Sequence, residues 1–130
     1  MDVPIDNAEE GRRVPPSFDS ASLDRLKRFG GVKLLREMID LFLVGATERL
    51  AAARAGLDAH DAAAVELALH SLKSSSAQLG APRMQQLSEE GEALASQGTL
   101  DNVHTLVREL EAEFVSVRDW LITVREGATT

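Results

Sequence analysis

The stretch LHSLKSSSAQLGA, residues 69–81, holds residue types whose spacing could do chemistry. His70 is followed three residues later by Lys73, so on a helix the imidazole and the ammonium reach one patch. A neutral imidazole near its ordinary pKa of about 6.5 is a good nitrogen nucleophile at cellular pH. A cation beside it would stabilise an anionic group carried on the ring. The chemistry this suggests is phosphoryl transfer through a surface histidine. The plainer alternative, an exposed histidine with no task, has the higher prior for any single residue.

The helix wheel favours the first reading. Val65, Leu69, Leu72, Ser76 and Leu79 recur at steps of three and four and fall in one narrow arc. At about 100° per residue, His70 lies roughly 140° from the centre of that arc and Ser74 roughly opposite it. Glu66, His70, Ser74 and Ala77 share the outer face, with Lys73 on its flank. The ring should therefore be wet. Its small neighbours, Ala63, Ser74 and Ala77, leave it open to a large partner.

Other chemistries fit less well. Ser71 and Lys73 are i and i+2, on different sides of a helix, which rules out a Ser–Lys hydrolase pair. Glu66 and His70 share a face, but an outward one, and the inward Glu-x-x-His pairs of di-metal bundles are absent. Gly30-Gly31 has no P-loop pattern around it and no strand before it, so it reads as a helix stop. His60, in a helix junction, and His104, early in the last helix, read as ordinary. Glu89, Glu90, Glu92, Glu109, Glu111 and Glu113 read as solvated faces. No cysteine is present, which excludes disulfides and thiolate chemistry. A net charge of −7 and a pI near 4.9 disfavour nucleic acid and anionic lipid as partners. No apolar run is long enough to cross a bilayer, and Met1–Asp6 has neither the basic nor the apolar region of a signal peptide, so a cytoplasmic location is expected.

The elements that must position His70 are helices. Alanine and leucine supply much of the 44% hydrophobic content while aromatics are only 4%, which suits closely packed helices better than sheets. Residues 1–17, with Pro4, Pro15 and Pro16, read as a flexible tail, and the domain as residues 18–126. Asp19 or Ser20 caps a short helix with Leu23, Leu26 and Phe29, stopped at Gly30-Gly31. A long helix follows to the high 50s with Leu35, Ile39, Phe42, Ala46, Leu50 and Ala53 on one face. Leu34, Met38 and Leu41 widen that stripe, which predicts burial on more than one side. Asp61 caps the helix carrying His70, Gly80 ends it, and Pro82 opens the next, with Met84, Leu87, Gly91 and Leu94. The last helix carries Val103, Val107, Leu110, Phe114, Val117, Leu121 and Val124 as a bundle seam. Short connections predict an all-α, antiparallel up-down four-helix bundle with a short N-terminal helix.

The segment HSLKSSSAQLGA resembles the signature of histidine phosphotransfer (HPt) domains, the relay modules of multistep two-component signalling. His70, Leu72, Lys73, Ser76, Leu79, Gly80 and Ala81 match a pattern running roughly Ala-His-x-Leu-Lys-Gly-x-Ser-x-x-Leu-Gly-Ala. The resemblance extends over about residues 18–125. FDSASLDRLKRFGG is similar to the family's opening helix, Asp61 to its acidic residue before the His helix, and Glu92 falls where a Leu-Glu pair is usual.

The resemblance implies that His70 accepts the phosphoryl group through Nε2 and that Lys73 neutralises it. Ser76 and Gln78 fall where the family often has polar or small residues near the site or beneath it; Ser74 and Ala77, beside the ring on the outer face, join them as supporting residues. It implies no ATP site, no autonomous catalysis and no cofactor of its own, the Mg²⁺ lying in a partner receiver domain. The partners would be response-regulator receivers, with a hybrid histidine kinase as a further candidate, and the chain a monomer. Two positions depart from the pattern. Leu69 stands for the common Ala on the core face, and Ser74 stands for the common Gly beside the ring. The rival reading keeps the fold but drops the chemistry, giving an adaptor that docks a receiver or kinase without carrying phosphate.

Overall fold

The computed structural model describes residues 14–129. They form four α-helices and no strand: α1 (Ser20–Asp58), α2 (Ala62–Gln78), α3 (Pro82–Ser96) and α4 (Asp101–Gly127). Each helix packs on its neighbours in the chain, and α4 returns to α1, so the four close around one core.

The helix boundaries follow from local chemistry. The Asp19 carboxylate accepts the Ala21 N–H at 3.1 Å and that of Asp61 accepts the Ala64 N–H at 3.1 Å, each satisfying an amide that the first turn leaves without a partner. Within α1 the one non-helical residue is Gly31 (φ 77°, ψ −173°), where the sequence places a stop. Two helical segments are joined through it rather than separated by a loop.

At the end of α2, Gly80 takes φ 73° and the Ala81 N–H reaches back to the Ser76 carbonyl at 2.9 Å. A Cβ at Gly80 would also run into the Asp19 carbonyl oxygen, so glycine is required twice over. The turn after α1 uses His60 in the left-handed region instead (φ 54°), its N–H donating to the Leu57 carbonyl at 3.1 Å.

Ile39, Leu57, Val65, Leu69, Leu72, Leu79, Met84, Val103, Val107, Leu110, Val117 and Leu121 are almost wholly inaccessible. Each such aliphatic side chain stabilises the fold by roughly 1.5–3 kcal/mol relative to exposure. Leu94 and Val124, expected in the core, are only partly buried against it. The expectation that α1 is buried on more than one side is corrected: Leu34 and Met38 are half-buried and Leu41 is 67% exposed. That face of α1 has no helix against it, because α2 and α4 take the other two sides.

Residues 1–13 of the expected tail lie outside the described residues. From Pro16 onward the segment before α1 is tied to the bundle. The Pro16 carbonyl accepts the Arg83 N–H at 3.2 Å, in the first turn of α3, where Ala81 provides no side-chain cap. The Asp19 N–H donates to the Gly80 carbonyl at 2.8 Å, and Phe18 stacks on Trp120 with ring centroids 4.8 Å apart. At the other end, Arg36 donates to the Ala128 and Arg125 carbonyls at 2.7 and 3.3 Å, which ties the C-terminal turn of α4 to α1. Arg125 forms a two-pronged pair with Asp40 at 2.6 and 3.0 Å, which clasps α4 to α1.

Candidate functional site

His70 sits mid-way along α2 with its side chain 58% exposed, as its place on the helix wheel requires. Its Nδ1 lies 2.6 Å from Oε2 of Glu92, which reaches across from α3. The other carboxylate oxygen, Oε1, is 2.8 Å from Nζ of Lys73. One carboxylate therefore holds both residues that the sequence singles out.

The electrostatics agree with the geometry. Partial burial alone would push the Glu92 carboxyl up, but hydrogen bonds from Lys73 and His70 outweigh it and hold the group below its ordinary range. The hydrogen bond to Glu92 raises the Lys73 ammonium above its ordinary value, against the opposing pull of burial. An ionised carboxylate can only accept hydrogen bonds, so Nδ1 of His70 carries the proton. In the neutral ring the lone pair is then on Nε2.

Glu92 is the residue that the sequence reading put on a solvated face. Its side chain is only 17% exposed and it bridges two helices. Glu111, at 2.6 Å from Arg54, and Glu113, at 3.7 Å from Arg83, are likewise paired across helices rather than simply solvated. Glu109 also pairs with Arg83, at 3.4 Å, whereas Glu89 and Glu90 are exposed as expected. Lys73, which the sequence offers as the cation for an anion on the ring, is paired with Glu92 in the structure.

The supporting residues separate. Ser74, Ala77 and Gln78 are exposed along the outer side of α2. Ser76 is fully buried with no hydrogen-bond partner for its hydroxyl. The structure brings none of these four against His70 by a hydrogen bond, and the Ser75 hydroxyl is spent on the Ser71 and Leu72 carbonyls. His70 and Glu92 form one side of a shallow hollow with Ala63, Glu66 and Leu67. Further along the same side of α2, Ala77 and Gln78 open onto a groove of about 660 Å³ lined by Arg25, Leu26, Phe29 and Met38. Among the described residues no cluster of three or more His, Cys, Asp or Glu side chains is placed to hold a metal ion.

Comparison with known families places residues 37–120 on the Hpt domain model. The chain belongs to the Hpt domain family. Its four-helix structure is similar to the crystal structure of histidine-containing phosphotransfer protein B (HptB) from Pseudomonas aeruginosa PAO1, with a TM-score of 0.84 and 29% sequence identity. That match covers 88% of this chain and 98% of the other. No curated protein matches.

As an Hpt domain, the chain has a histidine phosphotransfer role in two-component phosphorelays. Hpt domains are phosphocarrier modules that interact with response-regulator receiver domains and kinases. The opening helix that resembles the family, within residues 18–31, precedes the matched span. Among the described residues no helix is long and apolar enough to cross a membrane.

Proposed function

We propose that His70 is the phospho-accepting residue and that the chain relays a phosphoryl group between receiver domains. The observation that carries this reading is the Nδ1–Glu92 hydrogen bond, which leaves Nε2 as the free nitrogen of an exposed ring. In the proposed step the Nε2 lone pair attacks the phosphorus of a receiver aspartyl phosphate in line. The N–P bond forms, the P–O bond to aspartate breaks, and the aspartate leaves as a carboxylate. The ring keeps its Nδ1 proton and gains a positive charge, which Glu92 meets directly. Lys73 exchanges Glu92 for the phosphoryl oxygens. The reverse sequence delivers the group to a second receiver. Positioning and charge neutralisation supply most of what such a transfer needs.

The receiver contributes Mg²⁺ and its acidic pocket, and this chain needs no ATP site and no cofactor. The exposed apolar residues Phe29, Leu41 and Leu67 and the groove at Met38, Ala77 and Gln78 form the docking face. Connections as short as residues 59–61, 79–81 and 97–100 support an antiparallel up-down bundle with a short leading segment before Gly31. In this reading the domain spans residues 18–126 and acts as a cytoplasmic monomer.

The test is phosphoryl transfer itself. Chemical loading with phosphoramidate followed by mass spectrometry should place the group on His70. Receivers from the same organism should then remove it. His70→Gln should abolish labelling and leave the chain folded, with a loss of stability of no more than about 1.5 kcal/mol, the scale of the hydrogen bond to Glu92. Label on another residue sinks the assignment. Label on His70 that no receiver removes, from a protein that still binds one, identifies a docking adaptor instead.

A further inference from the structure

The two helices that meet at the site pack Leu69 against Gly91, one residue before it on each helix. Leu69 immediately precedes His70, Gly91 immediately precedes Glu92, and both are buried. A Cβ built on Gly91 would lie 2.6 Å from Cδ1 of Leu69, whereas the next side chain, Leu106, is 3.9 Å away. Leu69 thus fills from α2 the space that a side chain at position 91 would fill from α3. Protein interiors hold little free volume, so the contents of that space set how far apart the two backbones stand. The 2.6 Å hydrogen bond from His70 to Glu92 spans the same gap one residue further along each chain. A change of spacing at 69 and 91 is therefore transmitted to 70 and 92 through a single peptide unit on each side.

We infer that Leu69 and Gly91 are positioning residues for His70. Together they set the separation at which Glu92 reaches Nδ1, and through it the tautomer that leaves Nε2 free. The inference deepens the reading of His70 as the acceptor and rests on that reading for its consequence to transfer, but not for the geometry. Neither residue touches the reacting atoms. The space between the helices can be filled from either side, so moving the bulk from α2 to α3 conserves volume and should be tolerated.

The experiment uses the full chain and two readouts. Side-chain nitrogen and proton NMR of the histidines reports the His70 tautomer and its hydrogen-bonded Nδ1–H. Phosphoramidate labelling reports the reactivity of Nε2. Gly91→Leu should lose the Nδ1–H resonance and label roughly tenfold more slowly, the scale of one lost charge-assisted hydrogen bond. Leu69→Ala, which removes the spacer and leaves a void, should lose its sharp resonance while circular dichroism stays helical. The double variant L69A/G91L should recover both readouts.

A folded Gly91→Leu or Leu69→Ala that keeps the resonance overturns the inference. So does a double variant that fails to fold or lacks the resonance. Should Gly91→Leu alone not fold, Leu69→Ala and the double variant still decide. If the resonances behave as expected while the wild-type protein takes no phosphoryl group on His70, the acceptor reading fails and the positioning role stands.

Discussion

A carboxylate that stays ionised while largely withdrawn from water makes the His70 site sensitive to acid. Glu92 titrates below its ordinary value of 4.5 in the folded chain, so between that lowered value and 4.5 the unfolded chain binds more protons. Its contribution is complete above 4.5 and is lost as pH falls through the folded value. Lys73 works in the opposite sense: it is raised above 10.5, and its contribution is complete below that value and lost as pH rises further. Glu92→Gln should flatten the acid limb of a stability–pH curve measured by urea denaturation, and an unchanged limb would remove Glu92 from the ionised set. His60 offers a prediction without charge. Its φ of 54° strains any residue with a Cβ, so His60→Gly should stabilise the chain by about 0.5–1 kcal/mol in thermal denaturation, after the extra entropy that glycine gives the unfolded state. The position of His70 was legible because it depends on one helix wheel. The position of Glu92 was not, because it depends on how two helices are paired. The buried pattern of Met84, Leu87 and Gly91 puts position 92 on a flank of α3, and only the packing of α2 against α3 says that this flank faces His70.

At the scale of elements, punctuation was the readable part. Asp19, Asp61, Gly80 and Pro82 act where a single local rule places them. The second reason for Gly80, its approach to the Asp19 carbonyl, is a contact between distant parts of the chain and has no local signature. Gly80→Ala should therefore cost more than the strain of a left-handed residue alone, about 2 kcal/mol or above, and a urea midpoint is the natural measure. A loss near 1 kcal/mol would mean that the strap at Asp19 gives way freely. The stripe over Leu34, Met38 and Leu41 misled for a related reason. Periodicity reports an apolar surface, and it does not say whether a helix or another protein covers it.

For the whole molecule, the arrangement is a closed ring of helices in which α1 carries large apolar side chains that no other helix covers. Phe29 is 89% exposed and Leu41 67%, and neither packs into the core. Leu41→Asp should leave the melting temperature and phosphoramidate labelling unchanged while slowing phosphoryl exchange with a receiver, because Leu41 lies outside the core and on the proposed docking face. Equal slowing of both reactions would place Leu41 in the structure of the site instead. The segment from Pro16 to Asp19 belongs to no helix and precedes the span that marks the family. Yet it supplies the main-chain acceptor for the start of α3, braces the turn at Gly80 and covers one face of Trp120. A fragment trimmed to residues 37–120 would begin part-way along α1 and strip all three supports. A cut just before Ser20 would leave every helix whole and still remove all three, so the turns of the bundle lean on chain that is itself not helical.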